Sequence, residues 1–284
     1  MRPIYWIPVL AGVYGGYFSQ PSSKSITSII FLFFIAGPGI AAFSETYNEI
    51  YDRHIDNLSK GYTFGPFSLA CGSGILKANL INLNTAYLIS YLNLLISLFF
   101  SFFININVVL FTIFGIFLSI IYSNPKIRIK ERPFGGQLLL GLGYGPIAFS
   151  IGLFANENYK FNYNLLIPLV VLFVGSLIIG ITSELIDYED NLANKINNIA
   201  IRLGFYKIRL MISSFGFVFI LLIIFLNYFN LLQPRKNIYF VFIVAMLLRC
   251  LAILFINNES KYLIKLHTLS IMCESLLPFS LILK

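Results

Sequence analysis

Residues 44–56 read SETYNEIYDRHID, and within them Asn48, Asp52 and Asp56 recur at every fourth position. Four-residue spacing stacks side chains along one face of a helix. An amide and two carboxylates on that face supply oxygen ligands of the kind a hard divalent cation takes. A second acidic segment holds Glu184, Asp187, Glu189 and Asp190, with Asn191 beside them. With Glu45 and Glu49, the two segments carry eight of the chain's twelve acidic residues, and each follows a long apolar run. Carboxylates at a membrane boundary are expensive unless paired or metal-bound, so they point to function by default. A pair of solvated loop starts is the plain alternative. It is disfavoured because both segments occupy equivalent places and both carry Asn partners.

Between them, residues 122–132 read YSNPKIRIKER, with Lys126, Arg128, Lys130 and Arg132 in a short loop. Such a loop satisfies the positive-inside rule without further function. Placed beside the acidic segments, Arg128 and Lys130 would also neutralise a polyphosphate, because both bring fixed donors and positive charge.

The elements that must position these groups are membrane helices. The chain has 284 residues, 58% hydrophobic and 11% charged, which excludes an ordinary soluble domain. Its mean hydropathy of +0.82 agrees. Nine apolar runs are predicted to span: 5–19, 25–47, 83–104, 106–123, 137–155, 164–186, 206–229, 238–255 and 262–282. They imply an all-α polytopic bundle forming one domain over 1–284. Most of the 20 Lys and Arg fall on the side of Arg2 and the 124–136 and 187–205 loops. That bias predicts a cytoplasmic N-terminus and an outside C-terminus in a plasma membrane or its equivalent. It also sends both acidic segments to one side, and it accounts for the net charge of +8 through lipid headgroups and topology, with no nucleic acid. No cleavable signal peptide pattern is present.

Other features are less specific. Gly37-Pro38-Gly39 interrupts the second run and predicts a bend that turns the acidic face inward. Gly135, Gly136, Gly141, Gly143 and Gly145 allow close helix packing around the start of the fifth run. Cys71, Cys250 and Cys273 have no metal-type spacing, and His54 and His267 have no recognisable ligand partners. The many Phe and Tyr suit lipid-facing and core positions, and a few lining a cavity would stabilise a cation by their ring faces. Arg249 in the eighth run and Glu274 in the ninth are charges within the membrane with no role assigned by pattern.

Taken together, the Asn48-x-x-x-Asp52-x-x-x-Asp56 motif, ELIDYEDNLANKINNIAIRLG from Glu184 to Gly204, and YSNPKIRIK resemble the UbiA superfamily of intramembrane prenyltransferases. RPIYWIPVLAGVYGG and GPGIAAFSETYNEIYDRHID are similar to the chlorophyll and bacteriochlorophyll synthase branch, and the likeness covers essentially the whole chain. The resemblance implies a nine-helix bundle in which two acidic motifs hold Mg²⁺ ions that bind an isoprenyl diphosphate. Asn48, Asp52 and Asp56 would form one metal site, and Glu184, Asp187, Asp190 and Asn191 the other. Asp52, Asp56 and Asp187 would carry catalysis, and Arg53, Tyr122, Arg128 and Lys130 would contact the diphosphate. Two departures stand out. Asn191 replaces the acid that ends the second Asp-x-x-x-Asp, and NLSKGYTFGPFSLACGSG replaces the family's Arg-Pro-x-Pro-Ser-Gly segment.

The implied reaction is Mg²⁺-dependent transfer of a long, geranylgeranyl-like prenyl group to a hydrophobic acceptor in the bilayer. A tetrapyrrole carboxylate, an aromatic or quinone precursor, or a hydroxyl would serve, and no residue stands out as the acceptor's base. A terpene cyclase on the same scaffold, a non-catalytic homologue serving as a binding or assembly partner, and a cation transporter are the competing readings.

Overall fold

The computed structural model describes residues 6–20, 24–53, 76, 81–156, 159, 163–186, 188–196, 198–232, 234–256 and 260–281. They form helices α1 (Trp6–Phe18), α2 (Ile26–Asp52), α3 (Leu83–Phe102), α4 (Ile106–Ser123), α5 (Gly135–Phe154) and α6 (Leu166–Ile186). Two short helices follow, α7 (Tyr188–Ala193) and α8 (Ile199–Leu203), then α9 (Phe205–Tyr228), α10 (Lys236–Phe255), α11 (Ser260–Glu274) and α12 (Leu276–Ser280). Seven of these are long and apolar enough to cross a membrane, so the chain is an integral multi-pass protein of the all-α class. Among the described residues the first and last of the nine predicted runs are helical but fall short of that length. Helix α1 has 13 residues, roughly 20 Å of rise, and the last run breaks at Ser275 into α11 and α12.

Asn and Ser punctuate the apolar sequence. Asn82, Asn105 and Asn198 each cap a helix, their amide oxygens accepting from the backbone N–H of Thr85 (2.7 Å), Val108 (3.0 Å) and Ile201 (3.0 Å). At the opposite end of the bundle from Asp52, Lys24 donates to the Tyr17 carbonyl (2.5 Å) and Arg235 to the Phe18 carbonyl (2.5 Å). These cations satisfy carbonyls that the end of α1 leaves without an intrahelical partner. Lipid-facing positions carry Phe99, Phe117, Phe225 and Phe240, all exposed.

Beside a small cluster around Ile50 and Ala86, the interior holds two large clusters with α5 in both. Val13, Ile35, Val108 and Ile151 pack one, and Phe149, Leu172, Phe219 and Met246 the other. Helix α1 meets α5 backbone to backbone: a Cβ on Gly16 would lie 2.0 Å from the Phe149 carbonyl oxygen, and one on Gly152 1.7 Å from that of Val13. Gly145 approaches the Leu172 carbonyl in the same way.

Two helices change pitch in mid-membrane. Ile35–Ala41, containing Pro38, and Gly143–Ile147, containing Pro146, are π-helical turns. Each absorbs the hydrogen bond a proline removes without ending the helix. The break predicted at Gly37-Pro38-Gly39 is therefore a π turn, with Gly39 against Ser97 of α3. Gly143 serves no packing contact, since a Cβ there would meet nothing within 4 Å.

Arg249 and Glu274 find each other. Arg249, fully buried, lies 3.3 Å from Glu274 Oε1, donates from Nε to Ser270 Oγ (2.8 Å), and donates to Thr182 Oγ1. The pair ties α10 to α11 and, through Thr182, to α6. Removing one partner strands a buried charge. Glu274→Leu should lower stability by about 3–5 kcal/mol, read as unfolding in detergent, whereas Arg249→Met with Glu274→Leu should lose much less.

Candidate active site

Ile40, Ser44, Asn48 and Asp52 follow one another at four-residue intervals along α2, so one face runs from an apolar wall to a charged end. The face begins at Ile40, inside the π turn around Pro38. Ser123, the last residue of α4, donates to Asn48 Oδ1 (2.8 Å), and Lys130 Nζ donates to the same oxygen (2.7 Å). Lys130 also pairs with Asp52 Oδ2, and Arg128 donates to Asp52 Oδ1 (3.0 Å). Asp52 is 7% exposed. Its carboxylate is thus held at both oxygens by cations from a loop more than 70 residues away in sequence, the remedy that partial burial of a charge demands.

The loop is built to reach. Arg128 adopts a left-handed backbone (φ 42°) ahead of a single 3₁₀ turn, Ile129–Glu131, and its Nε pairs with Glu131 Oε1 (2.6 Å). Gly135 opens α5 directly against this turn: a Cβ would fall 2.4 Å from the Ile129 carbonyl oxygen. Lys130 Nζ lies 5.7 Å from the centre of the Tyr122 ring.

Above the charged end lies a cavity of about 630 Å³, counting its open mouth, between α1, α2, α4 and α5. Ser44, Glu45 and Tyr122 line its polar end, and Val9, Ile40 and Ile151 its apolar depth. Gly143 leaves room in the wall. The shape suits an amphipathic molecule with an apolar tail in the cavity and an anionic head at Arg128 and Lys130.

The structure brings together Asn48, Asp52, Arg128 and Lys130, as the spacing and charge predicted, and sets Tyr122, named by the resemblance alone, beside Lys130. Arg53 directly follows α2 as its C-cap. Glu184, in the last turn of α6, accepts from Gln137 Nε2 of α5 and from Asn198 Nδ2, the cap of α8. In the same segment Asn191 is half-buried, its carbonyl accepting from the Ile196 N–H (2.9 Å), and Glu189 is exposed. Asp56, Asp187, His54 and Cys71 lie outside the described residues, as does the Asp190 side chain. Among the described residues, no three His, Cys, Asp or Glu side chains gather as a metal centre. Ser123, Gln137 and Asn198 were not anticipated. Only Asn198 carries a signal, an N-cap residue ahead of IAIRLG.

The model of the UbiA prenyltransferase family matches residues 5–266. The bacteriochlorophyll synthase 34 kDa chain of Chloroflexus aurantiacus is 26% identical over 155 residues, which are 54% of this chain and 46% of that protein. The chain therefore matches less than half the length of that relative. Among solved structures, a UbiA homologue from Archaeoglobus fulgidus bound to GPP and Mg²⁺ superposes with a TM-score of 0.70 at 19% identity, covering 97% of this chain and 95% of its own. The apo structure of a UbiA homologue from Aeropyrum pernix K1 gives 0.74 at 14% identity, with 96% of each chain covered. Both likenesses are of fold.

Arg128 and Lys130 stand together at this end of the bundle, and two such cations suit a polyvalent anion. Inorganic diphosphate at about 100 times its Kd should stabilise the protein by about 2.7 kcal/mol, visible as a rise in melting temperature. Lys130→Met should lose most of that rise.

Proposed function

The chain belongs to the UbiA prenyltransferase family, and we propose that it transfers an isoprenyl group from its diphosphate to a hydrophobic acceptor within the membrane. The observation that carries this reading is the continuity of the α2 face, where the cavity wall at Ile40 and Ser44 leads without interruption to Asn48 and Asp52 and their two cations. A transporter would need a polar path onward, and the depth of this cavity is apolar.

The donor set at the stripe fits Mg²⁺. Asn48 Oδ1 and the Asp52 carboxylate are hard oxygens, with no sulfur or imidazole among the cavity-lining residues. Asp56 extends the stripe, and Glu184, Asp187, Asp190 and Asn191 are the candidates for the second site. When bound, Mg²⁺ neutralises charge developing on the departing diphosphate. The chain's own part follows from its contacts. Arg128 and Lys130 exchange their bonds to Asp52 and Asn48 for bonds to phosphate oxygens, which releases those ligands as the diphosphate arrives. Arg53 and Tyr122 border the same end. The walls at Val9, Ile40 and Ile151 hold the prenyl chain and exclude water from the allylic cation. The Tyr122 and Tyr144 rings stand in that wall, where a ring face stabilises positive charge.

A geranylgeranyl-type donor and a tetrapyrrole or aromatic acceptor, approached from the cytoplasmic face, complete the proposal. Membranes carrying the protein, given labelled geranylgeranyl diphosphate and one acceptor at a time, should release pyrophosphate only with Mg²⁺. Labelled hydrocarbon formed without acceptor would favour a cyclase, and no release with any acceptor would refute the enzyme. Asp52→Ala should lower turnover by at least about 100-fold. Asn191→Asp should leave it equal or higher.

A further inference from the structure

Among the described glycines, Gly143 and Gly204 are the two at which an added Cβ would meet nothing within 4 Å. Gly204 has a backbone reason to be glycine, since its φ is 79°. Gly143 has none: its φ of −68° and ψ of −51° are those of an ordinary helix. It has no packing reason either. At Gly12, Gly16, Gly145 and Gly152 a Cβ would fall less than 3.0 Å from a neighbour, which is where close helix contact demands glycine. A glycine inside a helix is less favourable than an alanine in the same place. What Gly143 supplies is space, and the space belongs to the cavity whose wall it lines.

The position of that space follows from α5. Leu139, Gly143, Ile147 and Ile151 recur at four-residue intervals and all line the cavity, so they form one strip of its wall. The strip begins beside the basic loop, where a Cβ on Gly136 would lie 3.1 Å from the Lys130 Cα. From Gly136 to Gly143 the helix rises roughly 10 Å. The gap therefore lies partway along the path of a tail whose anionic head is held at Arg128 and Lys130. One turn further on, the path narrows. A Cβ on Gly115 of α4 would lie 3.6 Å from Ile147 Cγ2 and 3.7 Å from Ile40 Cδ1, so α2, α4 and α5 come together there. A dimethylallyl tail ends short of the gap, and a geranylgeranyl tail has to pass it.

We infer that Gly143 determines prenyl chain length: the space it leaves in the α5 wall seats the part of a long isoprenyl chain beyond its first units, and a side chain there would confine the cavity to short donors. This rests on the diphosphate reading above and deepens it. Leu139, Leu140 and Ile147 flank the gap along α5, a lining that suits methyl-branched hydrocarbon and offers a polar group no partner.

The test is binding of non-cleavable thiolodiphosphate analogues of dimethylallyl, geranyl and geranylgeranyl diphosphate, with Mg²⁺ present, to the full chain in detergent. The wild type should bind the geranylgeranyl analogue more tightly than the geranyl one. Gly143→Leu fills the gap, and the geranylgeranyl-to-geranyl affinity ratio should fall about 10–200-fold, the range for a methylene-sized mismatch in an apolar pocket. Gly143→Ala adds one methyl to open space. It should raise the melting temperature, because alanine favours the helix and meets no clash, and it should lower the same ratio by a smaller factor. If Gly143→Leu does not fold, the alanine variant carries the test alone. A wild type with no preference for the longer analogue, ratios unchanged in the variants, or affinities lowered equally for every length would each overturn this inference and leave the functional reading standing. No binding of any analogue by the wild type overturns both.

Discussion

The Asp52 carboxylate, gripped at one oxygen by Arg128 and at the other by Lys130, is the interaction on which the arrangement of this end of the bundle depends. It joins the end of α2 to the loop between α4 and α5, and Lys130 and Ser123 extend the junction to Asn48. A charge this enclosed is tolerated only with partners, and here the partners come from a loop whose own course is set by a left-handed Arg128 and a glycine contact at Gly135. The same ions that make the fold affordable are those a diphosphate and a metal would take over. On the proposed function, structure and chemistry draw on one set of charges.

Behind that junction, α5 organises the rest. It contributes Ile147, Ala148 and Ile151 to one hydrophobic cluster and Phe149 and Leu153 to the other, and its first turns hold the basic loop and Gln137. Both π turns lie in helices that line the cavity, and each places a proline near its wall. The widened turn lets an uninterrupted helix carry a bend, so the acidic face of α2 is delivered to the cavity mouth without a break in backbone hydrogen bonding.

What could be read from the sequence was whatever repeats at a fixed interval or concentrates charge. Asn48 and Asp52 share a face because four-residue spacing leaves a helix no other choice, and Arg128 and Lys130 were visible as charge in a short loop. Which apolar runs meet was not visible, because every run is apolar all round. The Arg249–Glu274 pair joins two adjacent helices through faces that no periodicity marks. Gln137 is a lone amide in an apolar stretch, meaningful only when α6 brings Glu184 beside it. Gly143 and Gly145 looked alike in sequence, yet one opens the cavity wall and the other packs on Leu172. Proline marked the bend in α2 but not its π form.

The seam between α1 and α5 has a mechanical consequence. At Gly16 and Gly152 main chain bears on main chain, and at Gly12 the facing group is the Ala148 methyl, so nothing at these points can rotate aside. A wall made that way behaves as an anvil: it transmits load and does not flex. Any breathing that admits a lipid-borne molecule has to be borne by the facing side of the cavity, where α2 and α4 meet through side chains that can change rotamer, and the seam is the fixed frame against which that movement is made.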